Sequence, residues 1–249
     1  MLLNVRVVDW TQLEDVFGTA DQIPVLLARV EQGSDDVAWQ ELGDRLCHQG
    51  ETVSPASVAA LPALVALART DLKALDLAGD IVCCAMEHQT DVSLLRDHEG
   101  SIAELDDLLD RRLRTRPSNY QTTFRNLLAA RGHVRWSKVL GDFTDDFYWV
   151  SCPACSLDVT VAIGDFGRYS AVRDWDLGDV DRRALRPARA ADLAGPGRWM
   201  HDLAVRDGQT KLAEGLTFLF GQGECSRCAN VFRISEAHSP GNLPTERLT

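Results

Sequence analysis

No stretch of this 249-residue chain approaches the ~18 uninterrupted apolar residues that a membrane span requires. The start, Met1-Leu2-Leu3-Asn4-Val5-Arg6-Val7-Val8-Asp9-Trp10, has no basic segment, long apolar core or small-residue cleavage site, so no signal peptide is expected. Phosphate-cradling loops, nucleophile elbows and His-Glu-x-x-His helices are missing as well. Gly221-Gln222-Gly223 is a turn and not a dinucleotide fingerprint. Carboxylates such as Asp35-Asp36, Asp106-Asp107 and Asp145-Asp146 come as adjacent pairs, the pattern of solvated faces. Without an enzyme's signature, the expectation is a non-catalytic protein. A catalytic site would need acidic residues to converge on His133 or His201. The seven cysteines are an odd number, four of them in metal spacing, which suits a reducing interior better than a disulfide framework. The expected location is cytoplasmic.

What is present is led by two cysteine pairs, Cys152-Pro153-Ala154-Cys155 and Cys225-Ser226-Arg227-Cys228. Each pair has two residues between the thiols and is flanked by residues that read as strand. Two facing knuckles make the tetrahedral sulfur cage that zinc prefers, with Zn–S distances of about 2.3 Å. Four thiolates leave no open position, so one structural Zn²⁺ is expected. The 69 residues between the pairs are tolerable because loop closure grows only logarithmically with length. Ser156 and Ala229 follow the second cysteine of each pair, where glycine is common; both are small. Cys47, Cys83 and Cys84 lie in helical segments and read as small core residues.

Charge is unevenly placed within the net −11. Residues 1–110 hold 6 Lys/Arg against 21 Asp/Glu, whereas residues 111–249 hold 20 against 16. An acidic first half repels phosphate backbones and attracts basic partners.

That first half reads as successive helices. Ile23-Pro24-Val25-Leu26-Leu27 and Leu61-Pro62-Ala63-Leu64-Val65 share one pattern displaced by 38 residues. Each proline is expected in a first helical turn, where its missing N–H is harmless, with Thr19 or Asp21 and Ser54 or Ser57 as caps. A second helix follows each, carrying Gly43-Asp44 before His48-Gln49 and Gly79-Asp80 before His88-Gln89. Such an echo every ~36–40 residues predicts stacked helix pairs. A third pair is expected from Ser101 and from Tyr120 to Leu140, with Gly132 as a break. Composition changes near Gly141. Asp142 to Asp146 reads as a connector, and Phe147-Tyr148-Trp149-Val150 as a strand. Leu157, Val159, Val161 and Ile163 alternate as in a half-buried strand. Arg168 to Trp175 suggests a further strand, Asp179 to Leu193 helix or loop, and Gln209 to Phe220 a helix; Val231, Phe232 and Ile234 form the returning strand. The tail from His238 reads as irregular. The expected fold is mainly α with a smaller α+β part: a helical repeat domain over 1–141 and a β module with inserted helices over 142–249.

Trp10-Thr11-Gln12-Leu13-Glu14, Ala20-Asp21-Gln22-Ile23-Pro24, Leu46-Cys47-His48-Gln49-Gly50 and Ser57-Val58-Ala59-Ala60-Leu61-Pro62 together resemble bacterial HEAT-repeat-like proteins over roughly residues 9–90. Such proteins are widespread in actinobacteria, and many accompany toxins as candidate immunity proteins. The resemblance implies an N-terminal HEAT-like α-solenoid, joined here to a zinc-ribbon-like module, and a protein-binding role. The expected partner is a cognate toxin with a basic surface, such as a nuclease. Asp35, Asp36, Glu41, Asp44, Glu87 and Asp91 are the expected contacts, with Trp39 as an aromatic anchor or a core residue. The alternative is a zinc-ribbon protein on nucleic acid or transcription machinery, suggested by Arg182, Arg183, Arg186, Arg189 and Arg198. That stretch lacks aromatic stacking groups, and a pI near 5.0 also argues against nucleic acid.

Overall fold

A computed structural model describes residues 8–33, 35–50, 52–88, 92–142, 147–172 and 181–237. The chain divides into two compact units, Met1–Ser137 and Lys138–Thr249. The fold is mainly helical, with small antiparallel sheets. Among the described residues, no helix is long and apolar enough to cross a membrane.

In the first unit, a short hairpin of β1 (Glu14–Asp15) and β2 (Gly18–Thr19) precedes α1 (Ile23–Gln32) and α2 (Asp36–Leu46). Then come α3 (Pro55–Leu67), α4 (Leu72–His88), the single turn α5 (Val92–Leu95), α6 (Glu99–Arg114) and α7 (Tyr120–Ala130). Helices α1 and α2, α3 and α4, and α6 and α7 pack in consecutive pairs, and α7 also packs along α4. The core is mostly aliphatic: Ile23, Leu42, Leu46, Leu61, Leu64, Ile81, Leu105, Leu109 and Leu127 are fully buried, together with the aromatic Phe124. At Gly132, whose φ of 74° is left-handed, the chain leaves α7 before starting α8 (Val134–Asp142).

Two expectations about helix starts need correction. Neither Thr19 nor Asp21 caps α1; a 3-10 turn over Ala20–Gln22 runs straight into it, and Pro24 lies in the first turn. Pro62 does not open its helix. Ser54 and Ser57 form a reciprocal capping box that starts α3 earlier, with Pro55 in the first turn, so Pro62 sits mid-helix. The 38-residue echo therefore matches helix pairs without matching helix starts.

The second unit holds a four-stranded antiparallel sheet of β3 (Phe147–Ser151), β4 (Asp158–Gly164), β5 (Gly167–Ala171) and β6 (Arg183–Ala184), in that order. A second hairpin pairs β7 (Gln222–Glu224) with β8 (Val231–Arg233). Between them lie α9 (Gly195–Arg206) and α10 (Thr210–Leu219), packed on each other. α11 (Ile234–Ala237) follows β8, so Ile234 opens a helical turn and does not extend the strand. β4 is not half-buried: Thr160 and Ala162 are as enclosed as Val159 and Val161, since β4 is an inner strand and α10 packs against it. β6 is a strand within the segment expected as helix or loop, because its backbone pairs with β5. Residues 143–146 of the expected connector, residues 173–175 of the expected strand and the tail from His238 lie outside the described residues.

Candidate functional site

The two knuckles are turns of the same construction. Cys152–Cys155 links β3 to β4, and Cys225–Cys228 links β7 to β8. In the first, the Ser156 N–H donates to the Cys152 carbonyl at 2.8 Å and the Cys152 N–H to the Leu157 carbonyl at 2.8 Å. In the second, Ala229 N–H donates to the Cys225 carbonyl at 2.8 Å and Cys225 N–H to the Asn230 carbonyl at 2.9 Å. To close this loop, Ser156 and Ala229 each adopt φ 57°. This left-handed backbone is the reason glycine is common there.

Serine-to-backbone and backbone hydrogen bonds bring the turns together across the long insertion. Ser170 Oγ on β5 donates to the Glu224 carbonyl at 2.8 Å, and Ser226 Oγ accepts from Val172 N–H at 3.2 Å. Arg186 and Gln222 exchange backbone bonds of 2.9 and 2.8 Å. Gly221 makes that approach feasible, since a Cβ there would lie 2.2 Å from the Arg186 carbonyl oxygen.

The result gathers four thiols whose sulfurs all lie within 4.8 Å of one another. Cys152 and Cys228 are 3.7 Å apart and Cys155 and Cys225 are 3.8 Å apart. A tetrahedron of sulfurs about 2.3 Å from a central ion has edges of about 3.8 Å, so the donor set fits a metal ion. Cys152 and Cys225 are buried, whereas Cys228 is exposed. Burial pushes the Cys152 thiol up, but the backbone N–H groups of Cys155 and Ala154 and the thiols of Cys155 and Cys228 outweigh it, leaving a pKa of about 7. The Leu157 N–H acts to lower Cys155, yet burial and the other three thiols push it up to about 12. A cluster of this kind releases protons when it takes up a cation.

The expected partner contacts are scattered. Asp36 is 84% exposed and paired with Lys73. Glu41 bonds Arg45 at 3.1 Å, and Asp44 lies 4.0 Å from His48. Asp35 caps α2 by accepting from Ala38 N–H at 2.9 Å; that bond and the Arg29 guanidinium hold its carboxyl below the usual range. Asp91 lies outside the described residues. Of the two roles open to Trp39, anchor or core, the structure shows the second: it is only 7% exposed. One expected contact is overturned. The Glu87 side chain, also 7% exposed, is turned inward, because Arg125 grips it at 2.6 and 3.1 Å and Ser137 Oγ donates to it at 3.2 Å. The adjacent Cys83 is pushed up to about 12, first by burial and then by the Glu87 charge. Cys47, Cys83 and Cys84 are all buried, and His133 is exposed in the turn before α8. His201 is half-buried on α9.

The arginine-rich stretch is largely occupied with its own surroundings. Arg182 lies over the Tyr169 ring at 4.3 Å, Arg183 and Arg186 pair with Glu224, and Arg189 pairs with Asp192 at 2.7 Å. Arg198 donates to the Ala191 and Leu193 carbonyls at 2.7 and 3.1 Å. No family model, curated protein or solved structure matches the chain.

Proposed function

We propose that the chain is a non-catalytic protein-binding protein: a HEAT-like α-solenoid joined to a zinc-ribbon-like module, acting as an immunity protein that neutralises a toxin with a basic surface. The observation that carries this is the concentration of negative charge in the helical half, with Asp36, Glu41 and Asp44 presented by one helix, α2. Complementary fields accelerate encounter, and buried anchors supply most of the affinity.

Cys152, Cys155, Cys225 and Cys228 would hold one Zn²⁺, which supplies cross-linking and no reaction centre. Their part is to join the two hairpins, so that the sheet and inserted helices share one fastening. The pairing of the arginines with nearby acids and carbonyls weakens the nucleic-acid alternative.

The test is a titration of the full chain against the protein encoded beside it. One-to-one binding is expected, with an association rate that falls several-fold from low to physiological salt. Salt-independent association would remove the electrostatic part; absence of binding would remove the immunity role.

A further inference from the structure

Phe17 is 62% exposed, and every other described aromatic of the helical unit is buried or half-buried. A lone exposed apolar side chain is ordinary. This one is fixed in place. It sits at the tip of the β1–β2 hairpin, where its N–H donates to Asp15 Oδ1 at 2.8 Å and Val16 N–H donates to the Arg45 carbonyl at 3.2 Å. The Asp15 carboxylate is fully enclosed and bonds the Arg45 guanidinium at 2.8 Å. That guanidinium lies 5.8 Å from the Phe17 ring centroid, and the His48 ring meets Phe17 edge-on at 5.8 Å. An ordered ion pair at the end of α2 therefore holds an aromatic ring out toward solvent.

The neighbouring face of α2 continues the surface. Val37, Glu41 and Asp44 fall within about 60° of one another around the helix and span about 10 Å along it. Val37 is 68% exposed, and Glu41 and Asp44 lie between it and the hairpin end. Glu14, exposed on β1, adds a further acid to the same hairpin.

We propose that Phe17 is the anchor of the partner interface, resting on the protein-binding function above, and that it enters an apolar pocket bordered by Lys and Arg side chains on a basic protein. Charge complementarity selects this occupant: the helical half is strongly acidic, and Glu41 and Asp44 stand part-exposed on the helix whose Arg45 holds the hairpin, so a pocket with a cationic rim is favoured and an acidic one repelled. Fixing the ring beforehand removes part of the ordering entropy that binding otherwise loses.

The experiment places a benzophenone amino acid at position 17, and separately at positions 41 and 205, of the full chain in its native cells. Cross-linked proteins are identified, purified and titrated calorimetrically against wild type, Phe17→Ala and Phe17→Leu. Position 17 is expected to capture a basic protein. Phe17→Ala should weaken that complex about 30-fold or more, the level of an interface hot spot, whereas Phe17→Leu should lose much less. Both variants should keep the wild-type melting temperature. Cross-linking at 41 with wild-type affinity in Phe17→Ala would overturn the anchor and leave the binding function standing, as would an acidic partner at position 17. Absence of a cross-link from 17, 41 and 205 alike would overturn both.

Discussion

Ser156 and Ala229 carry a conformation that side chains disfavour, and both do so at the turn that seats a thiol of the four-cysteine cluster. A residue with a Cβ held in the left-handed region is destabilised by roughly 1–2 kcal/mol, which glycine avoids at the expense of a floppier unfolded chain. Ala229→Gly is therefore expected to be neutral or stabilising by up to ~1 kcal/mol. Ala229→Val, branched at Cβ, is expected to destabilise by ~1–2 kcal/mol or more. Thermal unfolding of the metal-loaded protein would check both. The thiol spacing alone points to the four-cysteine cluster, because two residues between cysteines in a strand-turn-strand context leave few alternatives. The same kind of local reading failed at Glu87 and left Trp39 open between surface and core. Whether a helical carboxylate or indole faces inward depends on the helix packed against it, and Arg125 lies 38 positions from Glu87. Phe17 carries no sequence signal, because strands of two residues each have no periodicity.

Helix pairing was legible for a simple reason: aliphatic residues at helical spacing must be covered, and consecutive helices are the nearest cover. The α4–α7 contact was not, since it joins elements far apart in the chain and is partly polar. Asn126 Nδ2 donates to Asp80 Oδ1 at 2.9 Å, and Asn119 reaches Asp76 at 3.4 Å. Gly79 lets Asn126 close in; a Cβ there would lie 2.5 Å from Nδ2. Burial pushes the Asp80 carboxyl above its ordinary value of 3.8, against the opposing Asn126 bond, and Asp76 is raised by burial as well. The folded state thus binds these protons more tightly than the unfolded chain. Their contribution is complete below the ordinary carboxylate value and declines as pH rises through the folded one. Asp80→Asn keeps an oxygen for Asn126 and abolishes the charge. At neutral pH the variant should melt a few degrees higher, as ~1 kcal/mol does for a unit of this size, and the gain should vanish in acid. A variant that melts lower at neutral pH would show that the carboxylate is needed in its charged form.

At the scale of the whole molecule, the helical unit owes its core to apolar contacts, whereas the β unit draws four sulfurs from two separate hairpins. Chelation at neutral pH should therefore leave the far-ultraviolet helical signal largely intact while the β unit loses its fixed tertiary signal and becomes sensitive to protease. Zinc back-titration should restore it at one equivalent per chain, read by elemental analysis. The broad division into a helical half and a cysteine-bearing β half could be read from composition, because strand periodicity and the knuckles begin together. The placement of β6 and α9 could not, since their pairing and packing partners are distant.

During synthesis, the thiols of Cys152 and Cys155 emerge well ahead of those of Cys225 and Cys228, with 69 residues between the pairs. At the usual pace of about 5–20 residues per second, that leaves the first pair waiting roughly 3–14 s on the ribosome with only half a cage. A nascent chain in that interval carries two bare sulfurs, open to stray oxidants and competing cations, and only the later hairpin can shield them.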